Sequence, residues 1–167
     1  MATPRLSPLQ QVSLVMLRTL VGWHFLYEGL TKLTAPSWTA AGYLKQAKGP
    51  LAESFRWLTT RPDLLANADV ITMWGLAIVG VCLILGLFTR LASLAGIGFI
   101  LLFYLAAPPF IGYFYAIPSE GSYLIVNKNL VELAALVVIL LTRSGRFAGL
   151  DRIVHGLLRR RPRLAEA

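Results

Sequence analysis

Three ionisable residues recur at intervals of four inside an otherwise apolar stretch: His24, Glu28 and Lys32. On a helix that interval stacks all three on one side. A histidine beside a carboxylate can pass protons near neutral pH, and a lysine offers a fixed positive charge to an oxyanion. A later apolar stretch repeats the theme with Lys128 and Glu132, flanked by Asn127 and Asn129, and Arg18 lies six residues before His24. The remaining residue types narrow the chemistry. Cys82 is the single cysteine, which excludes an internal disulfide, a CxxC pair and any thiolate-held zinc or iron–sulfur site within one chain. It stands among Val81, Leu83 and Ile84 without a basic neighbour to generate a thiolate, and so reads as a small core residue. The two histidines, His24 and His155, fall on opposite sides in the topology below, so no metal or haem is expected within this chain.

The elements that must position these groups are membrane helices. Of the 167 residues, 56% are hydrophobic and only 14% charged, against about 25% charged in soluble domains; the mean hydropathy is +0.65. Apolar runs cover 9–33, 70–88, 91–107 and 123–142, each close to the roughly 20 residues that cross a bilayer. Only Thr89 and Arg90 separate the second and third runs, so these form a tight hairpin with Gly86 near its bend. The predicted fold is an all-α integral membrane protein, a four-helix antiparallel bundle over residues 1–145, followed by a basic tail over 146–167. In that tail Phe147, Leu150, Ile153, Val154, Leu157 and Leu158 recur at helical spacing, which predicts an amphipathic helix on the cytoplasmic leaflet; a plain basic stop-transfer tail is the other reading.

Counting Lys and Arg by side orients the bundle. Nine cations (Arg5, Arg90, Arg143, Arg146, Arg152, Arg159, Arg160, Arg161, Arg163) fall on one side, and four (Lys45, Lys48, Arg56, Arg61) on the other, where four acids balance them. Both termini are therefore predicted to be cytoplasmic in a multi-pass protein of the plasma membrane. The net charge of +8 is assigned to lipid headgroups and not to nucleic acid.

On a helical wheel Arg18, Gly22, His24, Phe25, Glu28, Gly29 and Lys32 share one arc. Met16, Thr19, Leu20, Trp23, Leu26, Tyr27, Leu30 and Leu33 occupy the opposite, lipid-facing arc. Lys128, Glu132, Ala135, Ile139 and Thr142 also share an arc. Counting from the outer helix ends, Glu28 and Lys128 lie roughly 7–8 Å deep, and His24 and Glu132 roughly 13–14 Å deep. Opposite-sign partners thus meet at matching depths. The long side chain of Arg18 is expected to reach toward the outer side.

Two readings follow. The first is a purely structural charge network that locks the first helix to the fourth. The second is a polar pocket open to the outer face, with His24, Glu28 and Glu132 moving protons, Lys32, Lys128, Asn127, Asn129 and Arg18 holding an anion, and Glu120 and Tyr123 at its mouth. At the same level the aromatic residues Tyr104, Tyr113 and Tyr115 either line a quinone-ring site or form an interfacial belt.

The pattern Arg18-x3-Gly22-x2-Phe25-x3-Gly29-x2-Lys32 resembles the first helix of the DoxX/DoxD membrane proteins. The stretch Trp38-Thr39-Ala40-Ala41-Gly42-Tyr43-Leu44 with Gly49-Pro50, then Trp74-Gly75-Leu76, Gly86-Leu87-Phe88-Thr89-Arg90 and Asn127-Lys128-Asn129-x2-Glu132, extends the resemblance over 12–142. The chain is most similar to members identified as the DoxD-like large subunit of thiosulfate:quinone oxidoreductase. That resemblance implies an enzyme that oxidises thiosulfate to tetrathionate at the outer face. It also implies membrane quinone as the acceptor, a small DoxA-like second subunit as partner, and a bacterial or archaeal plasma membrane as the location. A non-catalytic membrane scaffold that anchors another redox partner protein is the alternative. A homo-oligomer is compatible with either.

Overall fold

The computed structural model describes residues 6–110, 112–113, 115, 124–142, 144–146 and 148–152. It is all-α, with helices α1 (Pro8–Thr34), α2 (Ala41–Lys45), α3 (Ala52–Thr59), α4 (Pro62–Leu85), α5 (Thr89–Ala106) and α6 (Lys128–Thr142), then a 3-10 turn at Ser144–Arg146. Local chemistry sets the ends of these elements. Ser7 and Gln10 form a reciprocal capping box ahead of α1, with Pro8 in the first turn. Pro62 opens α4, and Gly86, at φ 65°, closes it in the left-handed conformation that glycine adopts without strain.

The four longer helices pack in a ring, α1 on α4, α4 on α5, α5 on α6 and α6 on α1. Neighbours run antiparallel: Gly22 lies against Leu83 and Gly29 against Ala77, while Gly75 lies against Phe99 and Gly96 against Leu136. Phe25, Leu76, Leu83, Ile100, Leu136 and Ile139 fill the centre. The α1–α4 contact is a close backbone approach: a Cβ on Gly80 would sit 2.3 Å from the Leu26 nitrogen and 2.7 Å from the Gly22 oxygen. Small residues at such crossings are how helices associate where no hydrophobic effect drives them together.

By length and composition α4 and α5 are the two described helices able to cross a membrane. Helix α1 has 27 residues, about 40 Å of rise, but its ionisable side chains and glutamines dilute its apolar character. Its exposed face is nonetheless largely apolar: Met16, Leu20, Trp23, Tyr27 and Leu30 are each at least 45% exposed, with the exposed Thr19 among them, whereas Arg18, Gly22, Phe25 and Gly29 are buried. Helix α6 begins at Lys128, not at 123, because the Asn127 side chain accepts the Leu130 N–H at 3.2 Å and so caps the helix there. Its 15 residues rise about 22 Å.

The bundle has two distinct ends. At the turn end, residues 148–152 fold back on the α4–α5 turn: the Leu150 N–H donates to the Leu85 oxygen at 3.2 Å and the Asp151 N–H to the Gly86 oxygen at 2.9 Å. The Asp151 carboxylate accepts the N–H groups of Phe88 and Thr89 at 2.7 and 3.0 Å and the Thr89 hydroxyl at 2.6 Å, capping α5 from a distant part of the chain. Most of the expected amphipathic tail helix lies outside the described residues. Residues 144–146 are 3-10 and 148–150 are bend and turn, with helix beginning at Asp151. The expected apolar positions Phe147, Ile153, Val154, Leu157 and Leu158 lie outside the described residues, as do Glu120 and Tyr123.

At the connector end, α2 and α3 bridge α1 to α4. The Tyr43 hydroxyl donates to the Phe103 oxygen at 2.8 Å, which also accepts the Ala107 N–H, and the Lys48 N–H donates to the Ala106 oxygen at 3.1 Å, a carbonyl in the last turn of α5.

Candidate functional site

Helices α1 and α6 bring their polar arcs together toward the connector end. His24 Nδ1 lies 2.7 Å from Glu132 Oε1, and His24 Nε2 lies 3.9 Å from Glu28 Oε1. The imidazole therefore stands between two carboxylates. The 2.7 Å contact requires a proton on Nδ1 as donor when Glu132 is ionised, which leaves Nε2 to gain or lose the second proton. Burial grades the three groups: the Glu132 side chain is 9% exposed, His24 39% and Glu28 41%. The array thus runs from an enclosed carboxylate to a half-open one.

The Glu28 carboxylate forms an ion pair with Lys32, which also donates to the Glu28 main-chain oxygen at 3.2 Å and lies 5.7 Å from the centre of the Trp38 ring. The sequence expectation had set Glu28 against Lys128. The i, i+4 partner on the same helix, Lys32, holds the carboxylate, with the glutamate N-terminal to the lysine, the favoured order. Lys128 stays within electrostatic reach of both His24 and Glu28. Asn127 spends its side-chain oxygen on the α6 cap, and Asn129 sits half-buried in the first turn of α6.

Arg18 is directed away from this cluster, contrary to the expected reach toward the outer side and an anion there. It is 2% exposed, and its Nη2 donates to the Ala148 oxygen at 2.8 Å at the turn end, where Gly86 leaves room for the guanidinium. A cation so enclosed belongs to the packing of α1 against the α4–α5 turn and residues 148–151.

The three tyrosines assigned to a quinone ring surround the connector end of α5. The Tyr104 hydroxyl donates to the Ile125 oxygen and the Tyr115 hydroxyl to the Pro108 oxygen, both at 2.9 Å. Tyr113 and Tyr115 flank Lys48, whose Nζ lies 6.0 and 5.3 Å from their ring centres. Lys48 was not singled out by sequence reasoning; its place directly before Gly49-Pro50, a pair the resemblance had marked, carried the signal. Burial pushes the Tyr43 phenol up to about 12, which keeps its proton available for the Phe103 carbonyl.

A cleft of about 400 Å³ lined by Leu6, Leu9, Gln10, Ser13, Leu14 and Thr142 lies at the turn end. None of its lining residues titrates near neutral pH, in contrast to the His24 cluster. Among the described residues, no group of three or more His, Cys, Asp or Glu side chains could hold a metal ion.

The family model that matches the chain is DoxX, over residues 13–109, more than half of its length. That match takes in the α1 residues of the cluster and ends before α6. No curated protein and no solved structure matches.

Proposed function

Because the chain belongs to the DoxX family, we propose that it works as the membrane subunit of a sulfur-compound:quinone oxidoreductase, with thiosulfate as donor at the outer face and membrane quinone as acceptor. In this reading α1 and α6 complete a four-helix membrane bundle around α4 and α5. The apolar outer face of α1, and the exposed Leu124, Ile125 and Val126 ahead of α6, support that placement. The excess of arginine in the sequence around the α4–α5 turn and after α6 supports a turn end and termini in the cytoplasm of a bacterial or archaeal cell, with the connector end outside.

One observation carries the chemistry: His24 held at 2.7 Å by Glu132, with its other nitrogen 3.9 Å from Glu28. Two thiosulfates joined as tetrathionate release two electrons, and a quinone that takes them also needs two protons. His24, Glu28 and Glu132 deliver those protons, while Lys32 and Lys128 hold the anion in a niche where a hydrated dianion needs fixed positive charge. Tyr104, Tyr113 and Tyr115 are proposed to border the quinone ring, and a small DoxA-like subunit to complete the enzyme.

The test is quinone reduction against thiosulfate concentration in vesicles holding the purified complex. Lys128→Gln deletes the charge while keeping a polar, unbranched stem only one atom shorter, and it should raise the apparent KM for thiosulfate about tenfold, equivalent to roughly 1.4 kcal/mol of lost anion binding, with membrane insertion unchanged. A second reading, a non-catalytic scaffold for another redox protein, is favoured by the way Lys32 and His24 already neutralise Glu28 and Glu132 within the chain. Unchanged kinetics in Lys32→Gln, Lys128→Gln and the double variant would put the scaffold ahead.

A further inference from the structure

The Glu28–Lys32 pair is arranged unevenly. The Lys32 side chain is 17% exposed and that of its partner Glu28 41%. The less exposed ammonium is also held by the Glu28 main-chain oxygen at 3.2 Å and lies 5.7 Å from the centre of the Trp38 ring. An anion that binds Lys32 must therefore compete with the more exposed Glu28 side chain for the ammonium. That carboxylate is also the one whose Oε1 lies 3.9 Å from His24 Nε2.

We propose that Glu28 is an exchangeable lid on an anion site at Lys32, and that an incoming divalent oxyanion displaces it and is bound together with one proton. This rests on the pocket reading of the preceding subsection and adds its coupling. The sequence of events needs no electron transfer and no covalent bond. The dianion takes the ammonium of Lys32, offering two negative charges where the carboxylate offers one. The released carboxylate now faces a dianion without its cation, so its protonated form becomes favoured. A rotation of the Glu28 side chain closes the 3.9 Å gap to hydrogen-bonding distance. The proton on His24 Nε2 moves to Glu28 Oε1, and His24, still held through Nδ1 by Glu132, recovers a proton from solvent. The net change is one anion bound and one proton taken up. The charged groups acting on Glu28 in this exchange are His24 and Lys32 on its own helix and Lys128 on α6, with Glu132 behind His24. A monoanion gains little by the exchange, so the site selects doubly charged tetrahedral anions.

Calorimetric titration of the full chain in lipid nanodiscs with thiosulfate, and with sulfate as a non-reducing probe, tests this. In the wild type the affinity for both should fall about five- to tenfold per pH unit above neutrality, as uptake of close to one proton per anion requires. Chloride should not compete. Glu28→Gln removes the lid, and it should bind thiosulfate more tightly than the wild type and without pH dependence. Lys32→Gln should abolish binding. Should Glu28→Gln bind more weakly, or keep the wild-type pH slope, the exchange is overturned while the anion site stands. If neither dianion binds the wild type, the pocket reading falls and the exchange with it.

Discussion

Glu132→Gln should lower quinone reduction by about a hundredfold or more while the protein remains folded and in the membrane. The substitution preserves shape. The amide oxygen of glutamine can still accept the proton on His24 Nδ1, so the 2.7 Å contact between α1 and α6 survives. What disappears is the negative charge behind the imidazole. Glu132 is 8% exposed, so little solvent replaces that charge, and the doubly protonated imidazole loses its main stabilisation. His24 then stays neutral and carries no second proton on Nε2. Glu132→Ala is the harsher comparison, because it also leaves an unfilled volume beside Leu136 and Ile139 and an unpartnered donor on His24. A purely structural role predicts a different pattern of losses: Glu132→Gln nearly silent in turnover, and Glu132→Ala defective in proportion to its loss of folded protein.

The second large effect is on assembly of the bundle. Gly80→Ala should cost about 2–3 kcal/mol, an overpacking loss at the upper end of the usual range. The added Cβ would lie 2.3 Å from the Leu26 nitrogen, 2.6 Å from its Cα and 2.7 Å from the Gly22 oxygen, all main-chain atoms of α1. No rotamer change relieves such a clash, so α1 must move off α4. That movement also carries His24 away from its register with Glu132. Gly98→Ala is the matched control on α5, since nothing lies within 4 Å of the position its Cβ would take. It should be neutral or stabilise by about 0.4–1 kcal/mol through the unfolded chain. Thermal unfolding in detergent, with the two variants side by side, reads the difference.

The pairing of His24 with Glu132 was legible in the sequence because helical geometry is rigid: two helices of known ends and a fixed rise per residue leave one depth at which each side chain can meet another. The division of α1 into a buried polar and small arc and an exposed apolar arc was legible for the same reason. Glu28 was harder, since two cations competed for it and depth alone does not rank an intrahelical neighbour against a cross-bundle one. Arg18 was misdirected because a guanidinium on a long stem reaches either way along a helix, and the group it meets, the main-chain oxygen of Ala148, has no side-chain signature. Nor does anything in the spacing of Asp151 within a basic stretch announce that it caps α5. The four-span expectation rested on apolar run length. Asn127 makes the helix of the fourth run begin later than its hydropathy does, and polar residues dilute the first, which leaves α4 and α5 as the spans that length and composition alone support.

The central claim is that His24 passes protons while Glu132 holds it in place. The chain has only two histidines, His24 and His155, so nitrogen-15 spectra of the histidine-labelled protein in bilayers are readily assigned with a single His155→Gln control. The account predicts a His24 Nδ1 that stays protonated and hydrogen-bonded from about pH 5 to 9, and an Nε2 that changes between protonated and free within that range. In Glu132→Gln the Nε2 change should move to lower pH. A His24 that keeps one protonation state throughout, or whose neutral form carries its proton on Nε2 with Nδ1 bare, would contradict the account.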